Sequence, residues 1–106
     1  MKLCMELYDR IENLTKIYNS KYQDIKFDIK HSNTTNSIYL MALSNDNGVN
    51  IKKKIRLSDH KNSDVKTKII TKNTKFSYIK RLFDSIANDV RDTRFRVLMN
   101  QIEYRN

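Results

Sequence analysis

Proline and tryptophan are missing from this chain of 106 residues, and glycine and cysteine occur once each. A single cysteine, Cys4, excludes an intramolecular disulfide and a cysteine-based zinc cluster. A single glycine leaves no Gly-rich phosphate loop and no GxxG clamp for a nucleic-acid backbone. No apolar run approaches the roughly 18 residues of a membrane-spanning helix. The N-terminal stretch "MKLCMELYDRIENL" sets acids among its apolar positions, unlike the uninterrupted apolar centre of a signal peptide. These absences predict a soluble protein of the cytoplasm.

What the chain has in excess is positive charge, +9 in all. Residues 1–50 balance six Lys/Arg with six Asp/Glu, and residues 82–106 balance four with four. Residues 51–81 hold eleven Lys/Arg against Asp59 and Asp64, so the whole excess falls on one segment. Lysine on every solvated face would give a diffuse excess. A segmental one points to a polyanion or an acidic protein as partner.

Periodicity supplies the elements. Leu3, Leu7, Ile11, Leu14 and Tyr18 recur at helical spacing, predicting a helix over about 2–20. "DIKFDIKH" alternates, with Ile25, Phe27 and Ile29 inward and Lys26, Asp28 and Lys30 outward. "SIYLMALS" is apolar on both faces and fits a central strand. Asn47-Gly48 marks a two-residue hairpin, because both residues tolerate positive φ. "VNIKKKIRL" then returns with Val49, Ile51, Ile55 and Leu57 inward. Lys53 breaks that alternation and is expected at an edge or a bulge.

"DVKTKIITK" predicts a fourth strand with Val65, Thr67 and Ile69 inward. If it pairs with the third, Lys52, Lys54, Arg56, Lys66 and Lys68 merge into one basic platform. "NTKFSYIKRLFDSIANDVRD" is an amphipathic helix with Phe76, Ile79, Leu82, Phe83, Ile86 and Val90 on one side, capped by Asn73, Thr74 or Ser77. Phe27, Phe76, Phe83 and Phe95 are expected in the core. Residues 94–106 fit a helix through Phe95, Leu98, Met99 and Ile102, or a strand through Phe95 and Val97, with the strand favoured. The expected fold class is α+β in one domain over 1–106: an antiparallel sheet of four to five strands, an N-terminal helix and a later amphipathic helix.

Ser58, Asp59 and His60 are the residue types of a hydrolase triad. Consecutive residues point in alternating directions, whereas triad members converge from separate elements. The better reading is a turn: Ser58 and Asp59 accept backbone N–H groups and stop the strand. His60 and Arg56 remain candidate polar contacts. His31 is the one other histidine, and no spacing resembles a metal site, so neither metal nor cofactor is expected. Tyr78 lies beside Lys75, Lys80 and Arg81, where it braces the helix or stacks on a base. The candidate contact set is therefore Lys52, Lys54, Arg56, His60, Lys66, Lys68, Lys80 and Arg81, with no catalytic residue.

Ser37 with Tyr39 on one strand, followed by "IRLSDH" at residues 55–60, a β-rich segment and an amphipathic helix, resembles a family of small anti-CRISPR proteins from phages and mobile elements. The resemblance covers residues 37–92. It implies a protein without enzyme activity, in the host-cell cytoplasm, that blocks a Cas9-type effector nuclease. The implied partners are the effector protein, its guide RNA, or both. The alternative from the residues themselves is a stand-alone DNA- or RNA-binding protein of a phage or plasmid.

Overall fold

The computed structural model describes residues 5–32, 37–59 and 67–105. Helix α1 (Met5–Lys21) leads into three strands, β1 (Lys26–Ser32), β2 (Ser37–Asp46) and β3 (Val49–Ser58). A short β4 (Thr67–Ile69) and a long helix α2 (Phe76–Arg105) complete the order. The strands lie in one sheet in the order β1-β2-β3-β4. Leu7, Ile11, Leu14 and Tyr18 of α1 are buried, as their spacing predicted. They meet Ile25 and Phe27 of the β1 segment, Ile38, Leu40 and Ala42 of β2, and Phe83 of α2 in one core. Tyr18 stacks on Phe83 at 4.8 Å between centroids, and Phe27 is 5.5 Å from Phe83. Both helices thus cover the same face of the sheet.

The β2–β3 hairpin forms as expected. Asn47 has φ 52° and Gly48 φ 79°, and Asp46 pairs with Val49 across them. The register from Asp46–Val49 to Ile38–Leu57 is unbroken, so Lys53 marks no bulge. It lies on the helix-covered face with Ile51 and Ile55, and its Nζ reaches within 3.9 Å of Asp89 on α2.

Four expectations need correction. First, the sheet is mixed: β1, β2 and β3 pair antiparallel, but β4 runs parallel to β3, with Leu57 beside Lys68. This register inverts the expected faces of β4. Lys68 shares the helix side with Leu57, Ile69 is exposed, and Ile70 is fully buried. The doublet Ile69-Ile70 fits either phase of an alternating pattern, and the parallel pairing selects the second. Second, residues 94–105 are helix, not a fifth strand. Arg94, beside Phe95 in that strand pattern, is instead an anchor to the rest of the fold. It donates to Ser44 Oγ at 2.7 Å and to Asp24 Oδ2 at 3.2 Å.

Third, Phe76 and Phe95 are exposed, at 43% and 64%: helical geometry turns Phe95 away from the buried line of Ile79, Phe83, Ile86 and Val90, whereas Phe76 shares that side but stands at the very start of α2. Fourth, Thr74 serves the turn ahead of α2: its Oγ1 accepts the Thr71 N–H at 2.7 Å, while Thr71 Oγ1 accepts from Asn73. Among the described residues, no helix is long and apolar enough to cross a membrane.

Polar groups clamp the layers. Asn19 of α1 accepts the Phe27 N–H at 2.6 Å and donates to the Phe27 carbonyl at 3.0 Å, acting as a one-residue strand on the outer edge of β1. Tyr22 donates to Asp84 at 2.8 Å and Tyr18 to the same carboxylate at 3.3 Å, tying α1 to α2. Burial, with the Asp84 charge, pushes the Tyr18 phenol up to about 12.

Arg91 grips Asp24 with two hydrogen bonds of 2.7 and 2.9 Å. That fork, with help from Arg94, holds the Asp24 carboxyl at about 2, below its ordinary 3.8. A carboxyl lowered by folding stabilises fully above its unfolded value and loses that effect as pH falls through the folded one. The Asp24→Asn variant is therefore expected to lose about 1 kcal/mol at pH 7. In urea titrations its deficit should shrink between pH 4 and pH 2 and vanish below.

Candidate nucleic-acid interface

In an antiparallel pair, directly opposed residues point to the same face. The register therefore defines the face turned away from both helices. Lys26, Leu43 and Lys52 form one row across β1, β2 and β3, and Asp28, Met41 and Lys54 form the next. Lys30, Tyr39 and Arg56 form a third, and Ser32 with Ser37 lies beyond it. The result is an apolar rib, Leu43–Met41–Tyr39, running along β2 between lysines on both sides. Lys26, Lys30, Lys52 and Lys54 are exposed, against the single acid Asp28 in these rows. Lys54 Nζ sits 4.9 Å from the centroid of the Tyr39 ring. Lys30, Ser32, Tyr39, Met41, Lys52 and Lys54 line a shallow depression of ≈ 650 Å³ on this face.

The candidate contact residues do not stay together. Lys52 and Lys54 stand on the open face as expected. Arg56 has the expected strand parity but is only 4% exposed, and its Nε donates to Ser37 Oγ at 2.8 Å. It is a buried tie between β2 and β3, not a surface cation. Lys68 and Arg81 line a groove between the sheet and α2, together with Asp84, Asp89 and Asp92, and Lys53 there reaches within 3.9 Å of Asp89. Lys80 lies on α2 with its Nζ 5.0 Å from the Phe76 ring centroid. These three are on the helix side. His60 and Lys66 lie outside the described residues, as does Cys4.

Ser58 ends β3 fully buried, and its carbonyl accepts the Ile70 N–H at 2.8 Å, with Asp59 in the bend that follows. Among the described residues, no group of three or more His, Cys, Asp or Glu side chains is placed to hold a metal ion.

The linear charge map missed Lys26 and Lys30. They sit in the half of the chain whose charge sums to zero, and β1–β2 pairing brings them to the same face as Lys52 and Lys54. Their signal was the outward alternation of "DIKFDIKH" combined with a central β2. No family model, curated protein or solved structure matches this chain.

Proposed function

We propose that the protein acts by binding, and that its open sheet face grips the backbone of an RNA within a CRISPR effector, a Cas9-type complex first, so blocking the nuclease. The observation that supports this reading is the pair of lysine flanks on β1 and β3, carried on a rigid three-stranded surface and opposed by one acid. Fixed cations at strand spacing neutralise phosphates and release their counterions, which requires no base-specific contact. The choice of an effector complex comes from the resemblance. Its carriers Ser37, Tyr39, Arg56 and Ser58 cluster on adjacent strands, with Ser37 and Arg56 in direct contact. A stand-alone DNA- or RNA-binding protein is the second reading, favoured by the sheet face taken without the resemblance.

Affinities for free guide RNA, the effector without RNA, and the assembled complex, each at two salt concentrations, separate the two. The first reading expects tightest binding to the assembled complex, where protein contacts add to the phosphate contribution. Tight, sequence-selective binding to free nucleic acid with no inhibition of any effector would transfer the conclusion to the second. On either reading four lysines set the salt dependence. The slope of log K against log salt for single-stranded RNA should be no steeper than about −3.

A further inference from the structure

We infer that the open face takes a single strand, with bases laid on the Leu43–Met41–Tyr39 rib and phosphates on the lysines of β1 and β3. The inference rests on the reading above and narrows its ligand. Strands are spaced about 4.8 Å apart, so the two lysine flanks stand about 10 Å apart astride the rib. Along β2 the rib covers four residue steps, about 13 Å, which is room for about two or three bases.

The side chains of the rib decide between single and double strands. Leu43 is 36% exposed, and Met41 and Tyr39 are half-buried, so apolar surface is left facing water in the middle of a cationic field. A duplex turns its bases inward and would press charged backbone onto this rib, desolvating phosphates against carbon. An unpaired base presents an apolar π-face that the rib covers, while its phosphate reaches outward to the flanking cations. Tyr39 and Lys54 show the arrangement in miniature, an aromatic ring and an ammonium 4.9 Å apart. The mixed-charge groove between sheet and α2 offers neither feature, since Asp84, Asp89 and Asp92 would repel phosphate there.

The test is fluorescence anisotropy with labelled oligouridine and oligoadenosine, a blunt RNA duplex of equal length and inorganic polyphosphate, all at 50 mM salt. Single strands are expected to bind at least about ten-fold tighter than the duplex. Tyr39→Leu should weaken single-strand binding by about ten-fold and leave polyphosphate binding and the salt slope unchanged. Lys52→Gln should weaken both ligands and reduce the slope by about one. Equal affinity for duplex and single strand, or a Tyr39→Leu variant that binds as wild type, overturns the single-strand inference and leaves the basic-face reading standing. Failure of every nucleic acid to bind overturns the reading beneath it. A folded spectrum for Tyr39→Leu, checked by circular dichroism, keeps its loss attributable to the missing ring.

Discussion

Simultaneous replacement of Lys30, Lys52 and Lys54 by glutamate is expected to weaken RNA binding by at least about 100-fold, as three phosphate contacts become three repulsions. The melting temperature should stay within a few degrees of wild type, because all three side chains are exposed on a face that neither α1 nor α2 covers. The matched control reverses Arg10 and Lys16, exposed residues of α1 on the opposite layer. Those two changes remove as much charge per residue but should cost little binding beyond the loss of general attraction, which added salt screens. Equal losses from both sets would mean that net charge, and not a dedicated face, governs association. Arg56 does not belong in the first set. Its reversal would place a carboxylate in a buried site and report on folding.

That site gives the second large effect. Arg56→Ala is expected to destabilise the protein by about 2–3 kcal/mol, the scale for a buried hydrogen bond to a charged group. Its guanidinium is covered at the junction of β2 and β3 and donates to Ser37 Oγ, itself fully buried. Ser37→Ala should cost less, about 1 kcal/mol, since a single neutral partner is lost while the guanidinium keeps its further interaction. Urea unfolding measures both, with the midpoint falling and the slope unchanged if the native fold persists. A double-mutant cycle should show positive coupling between the two positions. Loss of RNA binding by Arg56→Ala with wild-type stability would instead return Arg56 to the surface contact set.

The sequence made the framework readable where periodicity was strict. Leu7, Ile11, Leu14 and Tyr18 announced α1, the alternation of 25–30 announced β1, and Asn47-Gly48 announced the hairpin, each because one local rule had no competitor. It was silent where two rules competed. Residues 94–97 alternate charge and carbon, a strand pattern, and the outcome was set by long-range partners. Asp24, Ser44 and Asp46 lie far away in the chain and claim Arg94 from inside the fold.

The interface was legible by half. Alternation placed Lys52 and Lys54 outward correctly, but a count of charge along the chain cannot see that strand pairing brings Lys26 and Lys30 to their level. Nor can alternation tell an outward arginine from a covered one. Arg56 has the parity of a surface residue, and burial at the end of the face is a tertiary fact. Lys68 failed for a different reason: a parallel partner shifts β4 by one residue relative to the antiparallel expectation, and one residue moves every side chain to the other face.

Lysine acetylation followed by mass spectrometry, on the free protein and on the protein bound to an assembled guide-RNA–Cas9 complex, tests the central claim residue by residue. The account predicts that binding protects Lys26, Lys30, Lys52 and Lys54 together, while Lys16, Lys75 and Lys80 on the helix side react as in the free protein. Protection of Lys75 and Lys80, with the four open-face lysines still fully reactive in the bound state, would contradict it.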